Sequence, residues 1–142
     1  MATTYPAHVH SADEPAVVRQ TSSLLKYILG AVPIIAGADK FSNFLTRWED
    51  YLNPFVPQTL HLTAATFMHL VGIIEIVAGV IVFIKPRLGG FIVMAWLIAI
   101  SLQLIFWGHY LDIAVRDLVI ALTGALTLAR LTPFAHDVAE TH

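Results

Sequence analysis

Apolar residues fill four stretches of this chain, and polar residues collect between them. The stretches run over residues 24–41, 60–84, 88–110 and 111–131. A helix needs about 20 residues to cross a bilayer, within a range of about 17–25, so each stretch predicts a membrane-crossing helix. The third holds no charged residue between Arg87 and Asp112. Pro86, in the Lys85-Pro86-Arg87 turn, ends the second helix and leaves a tight hairpin.

The connection over residues 42–59 has a pattern of its own. Phe41, Phe44, Leu45, Trp48 and Leu52 recur at helical spacing, with Arg47, Glu49 and Asp50 off that stripe. Ser42 is a suitable N-cap, and Pro54 and Pro57 end the pattern. The pattern predicts a short amphipathic helix in the outer interface, with Trp48 and Tyr51 at headgroup level beside Trp107 and Tyr110. Such a segment either anchors the protein or covers a pocket as a lid. The fold expected is therefore all-α: a four-helix transmembrane bundle with a short interfacial amphipathic helix in its first loop. Residues 1–23 are expected to form a mobile cytoplasmic tail, 24–131 the bundle and 132–142 a C-terminal cytoplasmic tail. The first apolar run begins only at Leu24, which reads as a retained tail and not a cleaved signal. His8 and His10 in that tail are either solvated or a metal-binding pair.

Composition narrows the class further. Of 142 residues, 57% are hydrophobic and 13% charged, where soluble domains carry about 25% charge. Disorder is excluded by the apolar content. The net charge of −2 comes without a basic stripe, so nucleic acid has no electrostatic footprint to bind. With no cysteine there is no disulfide, thiolate metal site or thiol nucleophile. No Gly-rich phosphate loop, GxSxG or HExxH occurs, and no motif supports a metal site or catalysis by this chain alone. With four crossings, one side carries Arg19, Lys26, Lys85, Arg87 and Arg130, and the other Lys40, Arg47 and Arg116. The bias puts both termini in the cytoplasm, in a multi-pass protein of the inner or plasma membrane.

Ionisable side chains inside the spans carry the candidate chemistry. Each costs at least about 2.5–3.5 kcal/mol at the bilayer centre and normally faces a partner within the bundle. Asp39 and Lys40 close the first helix, His69 and Glu75 lie on the second, Gln103 and His109 on the third, and Asp112, Arg116 and Asp117 on the fourth. At about 1.5 Å per residue, all but Glu75 fall in the outer half. His69, Gly72, Glu75 and Gly79 share one face of the second helix, as Gly30, Pro33 and Gly37 do on the first, which is the pattern of close helix contact in lipid. Asp112 and Arg116 stand at i, i+4 on the fourth. The simplest pairings are Asp39 with Arg116 and Lys40 with Asp117, leaving Glu75 protonated or hydrogen-bonded. The cluster either holds the helices in register, or forms a headgroup or quinone pocket, or belongs to a proton path. In the first case Glu75→Gln is nearly silent and Arg116→Ala lowers yield; in the others Glu75→Gln abolishes activity without lowering yield. No cofactor is required by any motif; quinone, or haem held by His61 and His109, are the two the residues leave open.

Four segments in order resemble the DoxX-like small membrane proteins over roughly residues 24–131. They are Gly37-Ala38-Asp39-Lys40-Phe41, Gly72-Ile73-Ile74-Glu75-Ile76-Val77-Ala78-Gly79, Pro86-Arg87-Leu88-Gly89-Gly90 and Val115-Arg116-Asp117-Leu118. The resemblance implies a four-helix bundle. Named members are linked to thiosulfate:quinone oxidoreductase and to membrane oxidoreductase complexes, and most of the family has no established activity. Lys40, Glu75, Arg116 and Asp117 match its recurring polar positions. The absence of cysteine and the long aromatic first loop depart from it, and turn the implication from direct sulfur chemistry towards an accessory subunit of a quinone-linked oxidoreductase. The partners expected are the bilayer and other membrane subunits or a second copy. The alternative is a standalone binder or transporter of a small lipophilic or weakly acidic molecule.

Overall fold

The computed structural model describes the backbone of residues 14–140 and the side chains of residues 15–136. Its elements are α1 (Glu14–Asp39), a 3-10 turn (Trp48–Tyr51), α2 (Phe55–Thr59), α3 (Ala64–Ile84), α4 (Pro86–Trp107), α5 (Leu111–Val119), a π turn (Ile120–Ala125) and α6 (Leu126–Glu140). No strand occurs among the described residues. Four helices are long and apolar enough to cross a membrane: Pro15–Asp39, Ala64–Ile84, Pro86–Trp107 and Leu111–His136, the last running through α5, the π turn and α6. Only 22% to 33% of the most apolar stretch of each is buried within the chain. The remaining apolar faces point outward, as they do when lipid is the solvent. The protein is a membrane-embedded four-helix bundle.

The boundaries follow local chemistry. Thr63 accepts the Thr66 amide at 3.1 Å and caps the start of α3. Lys85 alone separates α3 from α4, which begins on Pro86, a residue with no amide proton to leave unsatisfied. Gly108, at φ 75°, ends α4 in the left-handed region that a side chain resists. Two expectations about the ends change. Residues 14–23 are helical and extend α1 ten residues ahead of the apolar run, and residues 132–140 continue α6. Amphipathic sequence can prolong a spanning helix beyond its apolar stretch, so hydropathy underestimates both lengths. The remaining tail, with His8 and His10, lies outside the described residues.

The spans form a ring in which α1 packs on α3, α3 on α4, α4 on the fourth span, and the fourth span back on α1. The α1–α3 contact is the most intimate. A Cβ built on Gly37 would stand 2.5 Å from the Gly72 carbonyl oxygen, one on Gly72 2.6 Å from the Gly37 oxygen, and one on Gly79 2.5 Å from the Gly30 oxygen. The two glycine stripes read from the sequence are thus the contact surface itself. By contrast, α1 meets the fourth span through the π turn and α6 rather than along Leu111–Val119.

Two apolar clusters lie at the two ends of the bundle. Leu29, Val82, Val93, Ala125 and Leu128 fill the end that holds the α3–α4 turn. Leu52, Met68 and Val71, with Trp48 and Trp96 against them, fill the end under the first loop. That loop carries its helical order in two short pieces, the Trp48–Tyr51 turn and α2, and not in one continuous amphipathic helix. Ser42 caps no helix; its hydroxyl donates to Asp39 Oδ1 at 3.0 Å. The carboxylate of Asp39 draws residues 42–48 around itself and so breaks the helical continuity that the spacing suggested.

Candidate functional site

Side-chain direction explains why the polar residues group as they do. Helical Cβ atoms lean towards the N-terminus of their helix. Lys40 lies one turn beyond Gly37 on α1, and Glu75 one turn beyond Gly72 on the antiparallel α3. Each therefore leans towards the other across the glycine contact. The Lys40 Cβ is 3.2 Å from the position of a Gly72 Cβ, and the Glu75 Cβ 3.1 Å from that of Gly37. Lys40 Nζ and Glu75 Oε2 meet at 2.5 Å. Both residues are buried, 3% and 7% exposed.

Two tryptophans close this pair. The Trp96 indole on α4 donates to Glu75 Oε1 at 3.3 Å. The ammonium also stands 3.6 Å from the centroid of the Trp48 ring, a cation–π contact that is strongest when desolvated. Trp48 is itself fixed, because its indole donates to Asp39 Oδ2 at 2.7 Å. Asp39 Oδ1 further accepts the Phe44 and Leu45 amides at 2.9 and 3.1 Å. Asp39 folds the loop, the loop supplies Trp48, and Trp48 covers Lys40. No buried side-chain nitrogen or oxygen among the described residues lacks a partner.

Gln103 holds the other flank of the loop. Its amide nitrogen donates to the Tyr51 carbonyl at 3.0 Å and its oxygen accepts the Asn53 amide at 3.2 Å. Tyr51 packs on Tyr110 at 4.7 Å, and Trp107 on Tyr110 at 5.9 Å, so the expected aromatic layer does assemble at this end. Outside the membrane-spanning helices, Glu49 has its carboxyl held below its ordinary 4.5, first by its own amide and then by Asn43.

The remaining candidates stand apart. Arg116 and Asp117 pair with each other, Nε to Oδ1 at 3.3 Å, with Asp117 buried and Arg116 exposed. Neither Asp39–Arg116 nor Lys40–Asp117 forms: Asp39 is occupied by the loop, Lys40 by Glu75, and Leu111–Val119 does not run along α1. Glu75 faces an ammonium ion instead of standing without a charged neighbour. His69 is exposed and stacks flat on Phe41, with centroids 4.9 Å apart. His109 is exposed and lies against Trp107, its Nδ1 3.1 Å from the Trp107 oxygen. Asp112 is exposed on α5, and His61 occupies an exposed turn at φ 54°. Trp96 carries no signal in the sequence pattern, and Trp48 reads there as part of an interfacial anchor or lid, with Lys40 not named as what it covers. The usable signal was that Lys40 and Glu75 extend the two glycine stripes.

The arrangement is a closed polar clasp: one ion pair, two indoles and a carboxylate-organised loop tying α1, α3 and α4 together at one end. Compared with protein-family models, curated proteins and solved structures, the chain matches none of them.

Proposed function

We propose that this chain is a DoxX-like accessory subunit, a structural membrane component of a quinone-linked oxidoreductase complex, without catalysis of its own. The observation that carries the reading is the closed Lys40–Glu75 clasp. Its charges face each other, the Trp96 indole donates to Glu75, the Trp48 ring covers the ammonium, and its loop is tied down on both flanks. Such a cluster sets helix register and shape. The broad apolar faces of all four spans are then available to lipid and to neighbouring subunits. The first loop lies outside and both termini in the cytoplasm, on the distribution of Lys and Arg.

A second reading, a binder of a small lipophilic or weakly acidic molecule, is favoured by one feature. An apolar groove of about 310 Å³ between α3 and α4 is lined by Ile74, Ala78, Ile92, Ala95 and Trp96. Trp96 is the residue that holds Glu75. Purification in mild detergent, with mass spectrometry of everything retained in stoichiometric amount, separates the two. Recovery with oxidoreductase subunits supports the accessory role. Recovery alone with a bound small molecule, lost on Trp96→Ala, replaces it with the second reading.

A further inference from the structure

At the end opposite the clasp, the α3–α4 turn and α6 border an open groove of about 470 Å³. Its apolar wall is made by Ile84, Pro86, Leu88 and Phe91, with Thr132 contributed by α6. Three exposed nitrogen-bearing side chains, Lys85, Arg87 and His136, line it as well. Among the described residues, neither Lys85 nor Arg87 has an acidic partner. The Thr132 hydroxyl donates inward to the Leu128 carbonyl at 2.7 Å, so it supplies the groove no free proton. α4 also begins at Pro86, which turns the positive end of its dipole to the same place.

We infer that this groove binds an anionic phospholipid, with its phosphate against Lys85 and Arg87 and the start of an acyl chain along Leu88 and Phe91. Charge complementarity selects the headgroup, since the site carries two cations that meet no carboxylate among the described residues. The apolar walls select an amphiphile over free phosphate, which would leave them in contact with water. The position fits as well: the groove lies at the end of two spanning helices, at the depth where headgroup meets hydrocarbon. Basic pockets between spanning helices recognise anionic headgroups by this chemistry.

The test uses the full chain in a neutral mild detergent, titrated with phosphatidylglycerol or phosphatidylcholine and read by native mass spectrometry. Phosphatidylglycerol is expected to be retained at about tenfold lower concentration than phosphatidylcholine. Lys85→Gln combined with Arg87→Gln is expected to reduce that preference to about twofold or less. Arg130→Gln, an exposed cation outside the groove lining, is expected to leave it intact. Equal retention of both lipids by the unaltered chain overturns the proposal, and so does a preference that survives the double substitution. Loss of preference on Arg130→Gln equal to that of the double variant would show diffuse attraction in place of a site. One measurement needs no variant: inorganic phosphate, at the lipid's concentration, should fail to displace phosphatidylglycerol, and displacement overturns the lipid assignment.

Discussion

Replacing Gly72 by alanine puts the closest helix contact to a quantitative test. The new Cβ would lie 2.6 Å from the Gly37 carbonyl oxygen, about 0.8 Å inside ordinary contact. That oxygen belongs to backbone and has no rotamer by which to move away. The helices must separate, and with them the Gly30–Gly79 contact about two turns further along. Overpacking of this kind costs about 1–3 kcal/mol, against a helix-propensity gain of about 1 kcal/mol for Gly to Ala. A net loss of up to about 2 kcal/mol is expected. Gly124 supplies the matched control, since a Cβ there meets nothing nearer than 3.8 Å. Gly124→Ala keeps the propensity gain without the clash and is expected to be neutral or stabilising by up to about 1 kcal/mol. Unfolding by SDS in mixed micelles, followed by tryptophan fluorescence, measures both. Because the Gly37 and Gly72 contacts are reciprocal, Gly37→Ala with Gly72→Ala should cost less than the sum of the two. The reasoning fails if Gly72→Ala and Gly124→Ala shift stability in the same direction, or if the Gly37 and Gly72 effects simply add.

Three further outcomes follow from the loop. Trp48→Phe keeps a ring beside Lys40 but removes the indole donor to Asp39, so amide exchange at Phe44 and Leu45 should quicken by about tenfold with the spans unaffected. Gln103→Leu strips the Tyr51 carbonyl and the Asn53 amide of their partner; a loss of about 1–2 kcal/mol is expected, with faster exchange at Asn53. Glu49 has a folded-state value below its ordinary 4.5, so its contribution is full above that pH and is lost as pH falls through the lowered value. An NMR titration of the Glu49 carboxyl should give a midpoint below 4.5, and Asn43→Ala should bring it part of the way back.

Hydropathy made the four spans legible because each is a long apolar run with few charges. Spacing made the glycine stripes legible, because 3.6 residues per turn places Gly30 with Gly37 and Gly72 with Gly79. The ion pair was not read from them, although it depends on them. Depth alone placed Lys40 level with Asp117, whereas the lean of Cβ atoms towards each helix's N-terminus carries Lys40 and Glu75 to one another across α1 and α3. The loop was misjudged for a different reason. Its apolar spacing is helical, but a carboxylate that accepts the Phe44 and Leu45 amides and the Trp48 indole competes locally with helix formation. That competition depends on where α1 ends, which periodicity places only to within a residue or two. The pairing also revises the expectation for Glu75→Gln, which strips Lys40 of its counter-charge and is no longer expected to be silent.

The claim that the clasp is structural is tested most directly by comparing a single with a paired substitution at its centre. Glu75→Ala leaves the Lys40 ammonium buried and unpaired, and a loss of about 3–5 kcal/mol is expected. Lys40→Met with Glu75→Leu replaces both charges by apolar groups of similar size, which is often neutral or stabilising. Stability in SDS mixed micelles and recovery of co-purifying subunits are measured together for the two variants. The single substitution should lose both, while the double substitution restores stability and keeps the partners. A double variant that folds as well as the parent chain, yet loses its partners or a bound small molecule, would contradict that claim and make Lys40 and Glu75 a working site.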